Sequence, residues 1–103
     1  MSEPTRIRAT EQNGIVDVKL LIKHAMETGR RKDDAGKLIP IWHITQMTVK
    51  VKNKEVFQAH FGTGISKDPF IHFKFKGAMK GEEIVISWLD SRGDKRSDRA
   101  LIV

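Results

Sequence analysis

In IVDVKLLIKH (15–24), Val16, Val18, Leu20 and Ile22 fall at every second position, with Asp17, Lys19 and Lys23 on the opposite parity. Successive side chains of a strand point to opposite faces, so this alternation predicts a half-buried β-strand. The same period recurs along the chain. TRIRAT (5–10) predicts a short first strand at a sheet edge, and Asn13-Gly14 is a turn signal after it. IWHITQMTVKVK (41–52) sets Met47, Val49 and Val51 on one face and Thr48, Lys50 and Lys52 on the other. Asn53-Lys54 then predicts a tight hairpin turn into EVFQAHF (55–61), where Phe57, Ala59 and Phe61 share a face. FIHFKFK (70–76) alternates Ile71, Phe73 and Phe75 with His72, Lys74 and Lys76. EEIVISWLD (82–90) aligns Ile84, Ile86 and Trp88, and KRSDRALIV (95–103) follows the turn Ser91-Arg92-Gly93-Asp94 as a last strand.

Seven short strands separated by turn signals, with no helical periodicity, predict an all-β, immunoglobulin-like β-sandwich with Trp88 as a core anchor. Residues 1–103 read as one domain, with 1–4 expected to be disordered. One connection is anomalous. HAMETGRRKDDAGKLIP (24–40) is long and charged, with no evident core residue before Leu38. Structureless connections beyond roughly 12–15 residues are usually functional or disordered. This loop is therefore the first candidate for binding, and Gly29 and Gly36 permit sharp turns within it.

Composition narrows the chemistry. Cysteine is absent, which excludes disulfides, thiolate catalysis and Cys-ligated metals. No apolar run is long enough for a transmembrane helix, and MSEPTRIRATEQNG has no apolar segment of a secretory signal. The excess of 19 Lys plus Arg over 13 Asp plus Glu attracts anions, acidic proteins or nucleic acid, or serves solubility alone. Lys50, Lys52, Lys74 and Lys76 are candidates for steering anions. Nucleic acid fits poorly, because the phenylalanines alternate away from the lysines and leave no stacking platform. Gly29 to Gly36-Lys37 is not a phosphate loop: six residues separate the glycines, and Leu38 stands where Ser or Thr belongs. Arg30-Arg31 lies inside the chain and is no export signal, and Glu27, Asp33 and Asp34 lack calcium-loop spacing. His24, His43, His60 and His72, with Met26, Met47 and Met79, leave a copper-binding sandwich as the alternative function. No nucleophile elbow or carboxylate pair supports a hydrolase, so no catalytic residue, cofactor or resident metal is assigned.

The opening loop also carries a resemblance. His24-x-Met26-Glu27-Thr28-Gly29-x-Arg31-Lys32-Asp33, followed by Gly36-Lys37-Leu38-Ile39-Pro40, resembles the signature of the SoxZ family, the Z subunit of the SoxYZ sulfur carrier of thiosulfate oxidation. Asp68-Pro69-Phe70 and Trp88-x-Asp90-x-x-Gly93 look like later segments of that family, and Ala25 stands where many relatives have proline. The resemblance spans about Arg6 to Ile102. It implies an immunoglobulin-like fold and a non-catalytic scaffold. It also implies pairing with a SoxY-type subunit that carries sulfur on a cysteine near a flexible C-terminus. It further implies transient docking of pathway enzymes, and a periplasmic location reached by co-export with a signal-bearing partner. By resemblance, His24, Met26, Glu27, Thr28, Gly29, Arg31, Asp33 and Pro40 are the partner-binding candidates. Their own chemistry makes Met26, an adaptable apolar contact, and Arg31, a planar multidentate donor, the expected anchors. The competing expectation is that the loop packs on its own domain, with Glu27 paired to Arg31. Exposed edge strands add the expectation of self-association by the isolated chain.

Overall fold

The computed structural model describes residues 3–103. Seven strands form: β1 (Arg6–Gln12), β2 (Ile15–Leu21), β3 (Ile44–Val51), β4 (Lys54–His60), β5 (Phe70–Lys76), β6 (Glu83–Asp90) and β7 (Lys95–Leu101). They make an immunoglobulin-like sandwich of a three-stranded sheet, β1-β2-β5, and a four-stranded sheet, β4-β3-β6-β7, with antiparallel pairing throughout. The alternating positions of β2, β3 and β6 supply the core. Val16, Val18, Leu20, Met47, Val49, Ile84 and Ile86 are buried, as is Trp88. Of the segment expected to be disordered, Met1 and Ser2 lie outside the described residues; Glu3 and Pro4 precede β1 outside any strand.

Two boundaries differ from expectation for local reasons. The β3–β4 turn is Lys52-Asn53, not Asn53-Lys54: Val51 pairs with Lys54, and φ is 53° at Lys52 and 62° at Asn53. A two-residue type I′ turn needs positive φ at both central residues. The second strand ends at Leu21 instead of continuing to residue 24. The Ile22 N–H bonds to the Pro69 carbonyl, and the His24 N–H bonds to Asp68 Oδ1 at 3.0 Å.

The two long sides of the sandwich close differently. On one side the tail beyond β7 reaches β1, with Val103 N–H donating to the Ala9 carbonyl and Glu11 N–H to the Val103 carbonyl. On the other, the edge strands β4 and β5 meet only through side chains. Phe57 stacks on Phe73 at 4.1 Å between centroids, and Phe73 lies 6.2 Å from Phe75. Phe57, Phe61, Phe73 and Phe75 are half-buried along this margin, packed against the core from its rim. Strand β7 turns Arg96 and Asp98 inward, paired at 2.8 Å, and Asp98 also accepts the Thr5 N–H. Inward charge on an edge strand discourages another chain from pairing there.

Candidate interaction site

Residues 27–42 form an irregular β-hairpin, not a structureless loop. Glu27 and Trp42 exchange backbone hydrogen bonds at 2.6 and 3.0 Å, and Ile39 N–H reaches the Arg31 carbonyl at 2.8 Å. At the tip, Asp33 Oδ1 accepts the Ala35 and Lys37 amides at 2.9 and 3.0 Å, and Gly36 turns the chain with φ 81°. Residues 30–38 are all exposed. The molecule measures 53 × 20 × 20 Å with a radius of gyration of 15.4 Å. A compact domain of this length has a radius near ~13 Å. Strands of seven or eight residues span only about 25 Å. The remaining length is what a hairpin finger projecting from one end of the sandwich supplies.

A buried knot holds the base of the finger. His24 and Met26 are 7% and 5% exposed. The Met26 amide N–H donates to His24 Nδ1 at 3.1 Å, so the ring proton sits on Nε2 and is donated to Asp90 Oδ2 at 3.1 Å. Trp42 Nε1 donates to the same oxygen at 2.7 Å, and the Arg92 and Asp94 amides donate to Oδ1, each at 2.9 Å. Burial alone would raise the Asp90 pKa, but the bonds from His24, Trp42 and the two amides outweigh it and hold it below the usual carboxylate value. His24 packs between Trp42 and Trp88, at 4.8 and 5.3 Å, and the Arg92 guanidinium lies 4.2 Å over the Trp42 ring. Met26 adopts φ 50°, a costly conformation for a bulky residue, which turns its side chain into the core. There Sδ accepts the Ile44 N–H at 3.4 Å. Asp68 completes the knot through paired backbone and side-chain bonds to His24.

The knot overturns two features expected of the loop. Its core residues are His24 and Met26, whereas Leu38 is 59% exposed. Met26 is spent on its own domain, because a long apolar side chain at a β-hairpin base lowers free energy most by filling the core beneath it. Glu27 and Arg31 pair internally, with Nε to Oε1 at 3.0 Å and a second bond at 2.6 Å. Thr28 Oγ1 accepts the Arg30 amide. Gly29, at φ 83°, lets the returning arm approach: a Cβ there would lie 3.3 Å from the Ile41 Cβ. Asp33 builds the tip, and exposed Pro40 sits in the returning arm beside Leu38 and Ile41, the latter 48% exposed. The finger thus offers an apolar stripe on one arm, Leu38-Ile39-Pro40-Ile41, and charge at its tip.

Both ring nitrogens of His24 are committed, which leaves it neither a free base nor a free ligand in this conformation. Among the described residues no three His, Cys, Asp or Glu side chains are grouped to hold a metal ion. His43 precedes β3 and bonds the Ile44 carbonyl, His60 is on β4, and His72 on β5 pairs with Asp17 at 2.9 Å. Met47 is buried in the core and Met79 is exposed, so the residues of the copper reading are dispersed. The four steering lysines also separate. Lys50 and Lys52 belong to β3 and its turn, with Lys52 Nζ 3.4 Å from Glu82, while Lys74 and Lys76 lie on β5 in the other sheet. Alternation placed each on an outer face but could not say that β3 and β5 belong to different sheets.

Neither periodicity nor motif spacing assigns a role to Asp90, Trp42 or Arg92. A carboxylate ending an apolar strand just before Ser91-Arg92-Gly93-Asp94 is the available signal, since Asp caps turns through its own backbone neighbours. The knot joins the three segments that carried the resemblance: the loop, Asp68-Pro69, and Trp88 to Gly93. The family model described as sulphur oxidation protein SoxZ matches residues 5–100. The chain belongs to the SoxZ family. No curated protein matches it in sequence. Among solved structures it is similar to a superoxide reductase in the oxidised state, with TM-score 0.67, 12% identity, and 99% of this chain and 89% of that one covered. Two variants of the Archaeoglobus fulgidus superoxide reductase neelaredoxin are also similar. Their TM-scores are 0.61 and 0.57, both at 16% identity, covering 99% and 95% of this chain and 90% and 84% of theirs. At such identities the likeness is one of fold.

Proposed function

We propose that this SoxZ-family protein is the non-catalytic partner of a cysteine-bearing SoxY-type carrier, holding that carrier for enzymes that load, oxidise and release sulfur on its arm. Membership of a sulphur oxidation family supports the pathway, and the finger with its exposed apolar arm is the observation that carries the pairing role. Leu38 and Ile41 expose apolar surface on a rigidly anchored hairpin, and stable subunit contacts are the apolar ones. His24 and Met26 act from beneath, while Glu27, Gly29, Arg31 and Asp33 build and aim the finger within the hairpin itself. A scaffold without thiols also cannot divert carrier-bound sulfur by exchange. The complex works in the periplasm, and this subunit is exported with its partner.

Light scattering behind size exclusion tests the reading on a mixture with a SoxY-type subunit. The expected result is a stable complex. Leu38→Ser/Ile41→Ser weakens it by tenfold or more, while the free variant keeps its fold by circular dichroism. Separate folded species at micromolar concentration would overturn the proposal.

A further inference from the structure

The outer face of the β1-β2-β5 sheet is a regular grid fixed by strand register. Its rows are Arg6–Leu21–Phe70, Arg8–Lys19–His72, Thr10–Asp17–Lys74 and Gln12–Ile15–Lys76. Five of these side chains are Lys or Arg and one is a carboxylate. Asp17 is already engaged by His72 at 2.9 Å and Lys74 at 4.0 Å. Arg6, Arg8, Lys19 and Lys76 have no carboxylate within ion-pair distance among the described residues. Arg8 stands directly opposite Lys19, and like charges facing each other across a strand pair destabilise the sheet. The outer face of the other sheet is more nearly balanced: Lys50 stands opposite Glu55, Arg99 pairs with Glu83 at 3.4 Å, and Lys95 is the third cation there. A shallow depression of about 500 Å³ opens on the cationic face, bordered by Arg8, Lys19 and Lys74.

From this grid we infer that the β1-β2-β5 face docks an acidic surface of a folded protein, transiently and by electrostatic steering. This rests on the carrier role proposed above and names the partner as a sulfur-oxidation enzyme visiting the assembled complex. The chemistry separates the two contacts. A face dominated by solvated cations suits a short-lived encounter, whose rate opposite charge raises by ten-fold to a thousand-fold. Three strands of seven residues present a patch on the order of a few hundred Å² per partner, the scale of transient contacts. Single-stranded nucleic acid is the weaker fit. It needs aromatic platforms among the cations, and the one phenylalanine here, Phe70, sits at a corner of the grid.

The experiment compares Arg8→Glu/Lys19→Glu with Lys50→Glu/Lys54→Glu, which makes the same change of net charge on the other sheet. Each is assembled with the carrier subunit, and pairing is verified by light scattering. Association with each purified enzyme of the pathway is then followed by stopped flow from 20 to 300 mM salt, which shortens the Debye length about fourfold. The expected result is a fall in association rate of roughly tenfold at low salt, with a flatter salt dependence, for the Arg8/Lys19 variant alone. The control stays within about twofold of the unmodified protein. Equal losses in both variants, or none, would overturn the inference. So would loss of binding to a twelve-nucleotide single strand in the Arg8/Lys19 variant with enzyme association unchanged. If the unmodified chain fails to pair with the carrier, the carrier reading falls by itself. The same comparison on the chain alone then decides the face, and binding to none of the enzymes counts against it.

Discussion

Asp90 has a fully buried side chain and receives four donors on its two oxygens, so the residue scale of this protein turns on one carboxylate. Asp90→Asn keeps the shape but points an amide N–H₂ at groups that are themselves donors. The expected cost is about 3 kcal/mol, measured as a lower urea midpoint with an unchanged slope. The pH dependence follows in sign. Asp90 and Asp98 have pKa values lowered below 3.8 by their hydrogen bonds, so near that pH the folded chain binds fewer protons than the unfolded one. Their contribution is present above pH 3.8 and lost as pH falls through the lowered values. Urea midpoints are therefore expected to drop steeply between pH 5 and about 2, and Asp90→Asn to show a shallower drop.

At the scale of elements, the finger is a hairpin whose two arms meet at Gly29 and Ile41. Gly29→Ala combines a φ of 83° with a 3.3 Å contact, so it costs about 1–2 kcal/mol. The expected signature is local: faster amide exchange over residues 27–42, with the ladders of β2, β3 and β6 unchanged. The β3–β4 turn offers the opposite case. Asn53 holds φ 62° in a type I′ turn, where Asn-Gly and Asp-Gly sequences are preferred. Asn53→Gly is expected to raise stability by up to about 1 kcal/mol in thermal unfolding. The Lys52–Glu82 pair beside it contributes little, since Lys52 is largely exposed.

For the whole molecule, the finger at one end and the cationic sheet on one flank are separate surfaces of different chemistry. The apolar arm suits a lasting subunit contact, and the difference between the nearly balanced and the strongly cationic sheet faces polarises the excess of positive charge toward one side. Salt is therefore expected to separate the two activities. Raising ionic strength from 20 to 300 mM leaves the subunit complex intact in light scattering but slows enzyme association. A complex that dissociates over this range would place the lasting contact on the charged face.

Strand count, alternation and most core positions were legible in the sequence because a strand's period of two is a local property of the chain. Val16, Val18, Leu20, Ile84 and Ile86 are buried where that period put them. The segment from His24 to Pro40 also carried the family resemblance. What the motif residues do was not legible, because their partners are distant: His24 meets Asp68 and Asp90 across 44 and 66 positions. Sheet membership was equally hidden, since alternation says which side chains share a strand face but not which strands are neighbours. Only tertiary structure could separate Lys50 and Lys52 from Lys74 and Lys76, and set Arg8 opposite Lys19. It also turned a charged loop into a finger, because pairing between its arms and burial of Met26 and His24 outweigh the solvation that so polar a segment would otherwise favour.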